Sequence, residues 1–468
     1  MIDTHPGATA DADDQPLARL FSAYALSATF WLLFATFVGL VIAYKFGAPD
    51  FAPEAWLTFG RLRPIHTNDT FYGWASIGLV GAAYYIAARS GRTQLYSERL
   101  GWIGLALFNL AALLGTVALD LGYNVGDLEY REWPWPIRVI FAAALVVTAC
   151  NLLATVARRK TRDIYLSNWY MMGGVLWTIV IATVGILPWY QYGLGQVAVS
   201  GYFMHNSVGM WFTPMVLGTF YYALPKLLSR PIYSYALGVL AFWTNLVFYP
   251  IIGAHHFLFS PLPWWLQTTA IVFSVAMLVP VWGGSANFLL TIRARAGEVL
   301  HSYPLAFCLV GVIGYLVGST QGTLEAFRSR QAYWHFTNFT VGHSHLTMYG
   351  FVTFGLWGGL YALLPLATGR HASQAGMGLH FWLALVGSFI YVISLSIGGT
   401  IQGVDWTRGL PFIQSVVDMG PYYLWRGVGG MLMFASHLVF AWNVWQMTMR
   451  PRTRNAVALP VPLPERST

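Results

Sequence analysis

Stretches of nineteen or more residues with almost no charge follow one another from residue 19 to residue 447. A helix of that length crosses the hydrocarbon core of a bilayer, where the backbone finds no hydrogen-bond partner outside its own segment. A chain built of such stretches folds as a bundle of membrane-spanning helices. Twelve spans are predicted, near residues 19–45, 66–90, 98–120, 134–157, 166–189, 199–225, 235–257, 264–292, 303–327, 339–365, 379–401 and 422–447. Composition agrees: 56% of the 468 residues are hydrophobic and 9% charged, against about 25% charged in a soluble protein. The expected fold class is all-α, a polytopic membrane protein.

The spans form one expected domain, residues 19–450, between an N-terminal tail of residues 1–18 and a C-terminal tail of residues 451–468. No internal sequence repeat, soluble domain or long linker is visible. The first span does not read as a cleaved signal: it is too long, it follows Asp11, Asp13 and Asp14, and it lacks a clear small-residue cleavage site. Basic residues concentrate in the even-numbered connections ("ARSGRTQLYSER", "ARRKTRDI", Lys226 with Arg230, "TIRARAG", Arg370) and in the tail at Arg450, Arg452 and Arg454. The connection after span 3, "DLGYNVGDLEYREW", is acidic. The asymmetry predicts that both termini face the cytoplasm. Arg61, Arg63, Arg328 and Arg330 fall on the outer side and need another explanation. The net charge of +8 expresses this topology, so no nucleic-acid partner is called for. Cys150 and Cys308 lie inside spans and read as reduced packing residues.

Twelve histidines remain to be placed. His66 opens span 2, His205 lies early in span 6, His255 and His256 end span 7, and His343 and His345 begin span 10. Given the alternating direction of the spans, these six converge on one slab in the outer part of the membrane. A lone intramembrane histidine is usually a helix–helix hydrogen bond, and His437 in span 12 is read that way. His380 sits at the inner end of span 11. Six histidines at one depth are a different matter, because ionisable groups in spans are rare and functional. Imidazole is the commonest nitrogen ligand for metals and haem iron. Without an accompanying cysteine or carboxylate cluster, the set suits haem iron and copper rather than a zinc hydrolase or iron–sulfur centre.

Spacing sorts the ligands. His343 and His345 are two residues apart, about 200° around an α-helix, so one helix serves two haems on opposite flanks. His255 and His256 are about 100° apart and lean toward one centre, which His205 completes as a three-nitrogen site. His66 then pairs with one of the span-10 histidines across a haem. Tyr249, seven residues before His256, is expected on the same helix face, where a phenol beneath the metal would deliver a proton and an electron to dioxygen.

The stretches "GRLRPIHTNDTFYGW", "HNSVGMWFTPMVLGTFYYALPK", "RPIYSYALGVLAFWTNLVFYPIIGAHH", "PVWGGSAN" and "FTVGHSH" resemble the haem–copper oxidase superfamily, in particular the catalytic subunit of C-family, cbb(3)-type cytochrome c oxidases. The resemblance covers nearly all twelve spans. It implies a terminal respiratory oxidase of the bacterial inner membrane that reduces dioxygen to water. Electrons would come from cytochrome c through accessory c-type cytochrome subunits, with coupled proton translocation. It implies His66 and His345 as ligands of a low-spin haem b, His343 as the proximal ligand of a high-spin haem b, and His205, His255 and His256 as ligands of copper B. Tyr249 falls at the family's active-site tyrosine, which is covalently linked to the histidine corresponding to His205. Arg61, Arg63 and Arg426 resemble partners of haem propionates, which would explain basic residues on the outer side.

Three positions depart from the family pattern. Gln321 stands where a glutamate near the high-spin haem is usual, with Glu325 one turn later as a candidate substitute. Gly238 and Ala241 replace proton-path positions early in span 7, with Thr244 as a candidate compensation. The main alternative is a nitric oxide reductase of the same superfamily, which converts two NO to N2O at a haem beside non-haem iron. Reductases of that kind place glutamates where this chain has Gly209 and Val279, and they lack the tyrosine. A non-catalytic haem protein or transporter is the alternative from another class. It fits less well, because transporters place polar groups at the midplane and here they lie toward one face.

Overall fold

The computed structural model describes residues 15–124, 129–186 and 192–450. Expectations that rest on Asp11, Asp13, Asp14, Arg452, Arg454, most of the N-terminal tail, the C-terminal tail and the middle of the acidic connection after span 3 lie outside the described residues. Twelve long helices follow one another: α1 (Gln15–Gly47), α2 (Phe59–Ser90), α3 (Glu98–Asp120), α4 (Trp135–Ala157), α5 (Leu166–Ile186), α6 (193–228), α7 (Tyr235–Phe257), α8 (Trp264–Arg293), α9 (Tyr303–Glu325), α10 (Asn338–Thr368), α11 (Gln374–Thr407) and α12 (Gly420–Thr448). Among the described residues, eleven are long and apolar enough to cross a membrane. The exception is α6, whose apolar run is diluted by His205, Asn206, Ser207 and Pro214.

The helices start where local chemistry predicts. Ser97, Ser234 and Ser373 cap α3, α7 and α11, each hydroxyl accepting from a backbone N–H three residues on. Proline stands in the first turn of α4, α9 and α12, where its missing N–H costs nothing.

A period of four helices appears that the sequence did not reveal. Asn151 of α4 clamps Ser97 through bonds of 3.0 Å in each direction. Asn287 of α8 clamps Ser234 in the same way at 2.8 Å, and Gln446 of α12 accepts from Ser373 N–H at 3.1 Å. Each quartet also contains a π-helical segment in its second helix: Asp69–Ala75 in α2, Ser207–Phe212 in α6 and Leu346–Thr353 in α10. Two of these helices are the most enclosed spans: the apolar window of α2 is wholly buried and that of α10 is 78% buried, against half or less for the other candidate spans. In α6, residues 209–225 are all buried. The histidines of α2, α6 and α10 immediately precede the π segments, so they stand in the centre of the bundle.

Candidate metal and haem centre

Four helices bring the six histidines together, and each departs from α geometry at that point. His66 lies three residues before one π segment, His205 two before another, and His345 directly before the third. Such one-turn bulges cluster at functional sites because they re-aim side chains. In α7 the departure is tighter: Tyr249–Phe257 is a 3₁₀ helix. Pro250 lacks an N–H and crowds the carbonyl four residues back, which favours the narrower turn.

This corrects the expected placement of Tyr249. At about 120° per residue, seven residues no longer return to one face. Tyr249 instead packs on His205, with ring centroids 4.5 Å apart and planes 24° from parallel. The space it fills belongs to Gly209. A Cβ there would lie 1.6 Å from Tyr249 Cζ and 1.9 Å from its hydroxyl oxygen, so Tyr249 and any side chain at 209 exclude each other.

His205, His255 and His256 form a cluster whose ligand nitrogens all lie within 4.8 Å of one another. His205 Nδ1 is 2.8 Å from His256 Nε2 and 3.2 Å from His255 Nε2. The approach of α6 to α7 depends on Gly201 and Gly253, where a Cβ on either would sit 2.6 Å from the other's carbonyl oxygen. Ser274 orients His255: its hydroxyl donates to Ala270 O at 2.7 Å, so its oxygen accepts from His255 Nδ1–H, also at 2.7 Å. That leaves His255 Nε2 as a lone pair aimed at the cluster centre. His205 Nε2 is buried without a hydrogen-bond partner. Three imidazole nitrogens converging on one point, with no carboxylate among them, fit a copper ion.

His66 and His345 face each other with ring centroids 6.3 Å apart and planes 15° from parallel. His66 Nδ1 donates to Ala35 O and His345 Nδ1 to Val341 O, both at 2.8 Å. A carbonyl only accepts, so the bond fixes the tautomer and frees both Nε2 atoms for a metal. Two bonds of about 2 Å, with about 1.1 Å from each nitrogen to its ring centre, require about 6 Å. The pair therefore fits a six-coordinate haem iron. His345 also packs on Tyr391 at 4.3 Å.

His343 points the other way, toward α9. Its Nδ1 donates to Gln321 Oε1 at 3.0 Å. Glu325 Oε1 lies 3.2 Å from the same nitrogen but off its N–H direction, and that oxygen is buried without a hydrogen-bond donor. Glutamine thus takes the orienting bond, and Glu325 stands beside it. His343 is within electrostatic range of His205, His255 and His256.

The three arginines differ. Arg61 Nη1 donates to Asp120 O at 2.5 Å, and Arg63 pairs with Glu129 and lies 3.7 Å from Glu132. Arg426 is buried, donates to Tyr391 Oη at 3.0 Å, stacks over Phe46 at 4.3 Å and keeps Nη1 without a partner. It is the arginine with a free N–H for an anion beside the His66–His345 pair. Arg328 and Arg330 have aromatic partners, Trp264 at 3.6 Å and Trp334 at 5.9 Å, which accounts for their place outside the charge rule. The Thr244 hydroxyl bonds back to Leu240 O of its own helix at 2.7 Å. Gly238 lies against Leu166 and the hydroxyl of Tyr221. Ser274, Tyr391 and the role of Gly209 were not found from the sequence; Pro250 was the visible signal for the changed helix in α7.

Residues 19–432 match the family described as Cytochrome C and Quinol oxidase polypeptide I. The chain is 32% identical over 460 residues to the cbb3-type cytochrome c oxidase subunit CcoN1 of Stutzerimonas stutzeri, covering 94% of this chain and 96% of that one. It is 31% identical over 477 residues to cytochrome c oxidase subunit 1 of Rhodobacter capsulatus, covering 96% and 89%. The fold matches that of a haem–copper terminal oxidase dimer solved by cryo-electron microscopy, with a TM-score of 0.78 at 16% identity over 94% of this chain and 85% of the other. The chain belongs to the haem–copper oxidase family, as a cytochrome c and quinol oxidase polypeptide I.

Proposed function

We propose that this chain is the catalytic subunit of a cbb(3)-type terminal oxidase that reduces dioxygen to water with electrons from cytochrome c. The observation that carries the reading is the pairing of an all-imidazole cluster with Tyr249 in the space above Gly209. A carboxylate that would favour iron has no room at position 209 while the tyrosine is present, which speaks against the nitric oxide reductase alternative.

His66 and His345 would hold a low-spin haem b, His343 a high-spin haem b, and His205, His255 and His256 copper B. Bound there, these groups accept electrons singly and bind and reduce dioxygen. Gln321 keeps the ring of His343 in position, and Ser274 does the same for His255. Tyr249 holds a phenolic proton at Oη beside His205 and serves as the donor of one proton and one electron. His205 Nε2, lacking a hydrogen-bond partner, is the nitrogen available for a covalent link to that ring. Arg426 Nη1 would meet a haem propionate, whereas Arg61 and Arg63 act through Asp120, Glu129 and Glu132. Accessory c-type cytochrome subunits would pass in the electrons, since the chain has no CxxCH motif. The chain sits in the bacterial inner membrane with both termini cytoplasmic.

Elemental analysis of the purified complex, with turnover measured on both gases, tests this. About one copper for two haem irons is expected for an imidazole-rich site, with oxygen turnover dominant. A third iron in place of copper, with NO the better substrate, would overturn the assignment.

A further inference from the structure

Two buried histidines take no part in the site. His437 of α12 and His380 of α11 are both 0% exposed. The His437 contacts have a polarity that hydrogen bonding defines. Thr36 donates its hydroxyl to Leu32 O at 2.6 Å, so its oxygen accepts from His437 Nδ1–H at 3.0 Å. His437 Nε2 then accepts from the hydroxyl of Tyr349 at 3.0 Å. Tyr349 has a second acceptor within reach: Ser436 Oγ lies 3.4 Å away, and its own proton is given to Met433 O. The group accommodates both protonation states. When His437 takes a proton at Nε2, that N–H donates to the Tyr349 oxygen and the phenol turns its hydrogen to Ser436.

His437 is also bonded to a chain neighbour of the group that holds His66 and to the residue one turn beyond His345. Thr36 follows Ala35, whose carbonyl holds His66, and Tyr349 is one turn after His345 on α10.

A polar string continues from His437 toward the face that carries Arg370 and Arg450. The indole of Trp357 lies 5.6 Å from His437 and 4.4 Å from His380. His380 Nδ1 is 2.9 Å from Tyr361 Oη, which also accepts from Asn443 Nδ2 at 2.8 Å. Asn443 Oδ1 lies 2.4 Å from where a Cβ on Gly376 would stand, next to the exposed Ser373 that caps α11. Glycine at 376 thus lets the buried Asn443 reach the base of the Ser373 cap, one residue layer below that surface. Trp357 Nε1, His380 Nε2 and Asn443 Oδ1 are all buried without a protein partner. Three orphaned polar atoms on residues linked by these contacts are a place for ordered water.

We propose that this string is a proton track from the Ser373 surface, and that His437 is the redox-linked proton site at its end. The proposal rests on the bis-histidine haem reading above. One electron arriving from cytochrome c at the low-spin centre draws one proton from bulk water through Asn443, Tyr361, His380 and bridging water to the Tyr349 oxygen, whose own hydrogen passes to His437 Nε2. Departure of the electron sends the proton back along the same route to bulk water. The titratable groups that face His437 are Tyr349 from α10 and His380 from α11. Thr36 from α1 and Ser436 on α12 itself do not titrate, and no carboxylate or basic side chain contacts it among the described residues.

The test uses the purified holo-complex with isotope-labelled histidine. Redox-difference infrared spectra should show an imidazole protonation signal that accompanies reduction of the low-spin haem, and the midpoint of that haem should depend on pH. In His437→Gln both should vanish while the low-spin optical band remains. Tyr361→Phe should keep the equilibrium pH dependence but slow proton uptake at least tenfold. An unchanged imidazole signal and pH profile in His437→Gln would overturn the proposal. Where that variant does not assemble, Tyr349→Phe and Thr36→Val decide, since each removes one partner and should displace the pH profile; unchanged profiles in both overturn it. Absence of a bis-histidine low-spin band in the wild type would instead overturn the haem assignment, so the two failures are distinguishable.

Discussion

Adding one carbon at position 209 should disable the enzyme without touching a ligand. The Cβ of Gly209→Ala would stand 1.6 Å from Tyr249 Cζ, 1.8 Å from Cε1 and 1.9 Å from Oη. Carbon atoms settle at about 3.5–4.0 Å, so the ring must retreat by about 2 Å. It cannot retreat freely, because His205 lies against it at 4.5 Å and Pro250 stiffens the backbone that carries it. Overpacking of this kind costs about 1–3 kcal/mol, and a rigid ring places Gly209→Ala toward the upper end. The catalytic effect should be larger, because a displacement of about 1 Å from working geometry already costs about 100-fold in rate. Oxygen turnover of the purified variant should fall by at least about that factor, with haem and copper content close to wild type. Tyr249→Ala in the same background should return the lost thermal stability and leave turnover absent, a non-additivity expected of groups in contact. Full turnover in Gly209→Ala with normal metal content would refute the claim that Tyr249 needs this space.

Three further outcomes follow from the same geometry. His66→Ala should remove the low-spin optical signature while carbon monoxide still binds the other haem; the reverse pattern would exchange the roles of His343 and His345. Tyr249→Phe should keep cofactors and stability, since no described group hydrogen-bonds its hydroxyl, yet abolish oxygen turnover; a turnover near wild type would remove the phenol from the mechanism. His335, in the connection before α10, has its imidazole pushed down to about 4 by burial, against about 6.5 when free. The unfolded chain therefore takes up this proton from about pH 6.5 downward while the folded chain does so only near pH 4, so stability falls as pH drops through that window. Thermal unfolding of His335→Gln should lose less stability between about pH 7 and pH 5 than wild type does, and identical slopes would show that the site does not titrate on unfolding.

The sequence by itself determined the architecture. Length and lack of charge leave a helical span no alternative in hydrocarbon, so twelve helices and their order were legible, although polar residues make α6 less apolar than the other spans. The convergence of the six histidines was legible for the same reason, since alternating spans fix which helix ends lie together. The opposite directions of His343 and His345 were readable because two residues give nearly half a turn in any helix close to α. What the tertiary structure decided is which face each helix presents once its period changes. The π segments after His66, His205 and His345 and the 3₁₀ turn at Tyr249–Phe257 depend on packing against neighbouring helices. The regular period used for Tyr249 and His256 therefore failed there. The four-helix repeat was hidden because its clamp needs only one serine and one amide per quartet, too few identities to show as a sequence repeat. The exclusion between Gly209 and Tyr249, and the choice of Gln321 rather than Glu325 as the acceptor for His343, join residues 40 and 22 positions apart, and only the packed bundle sets such distances.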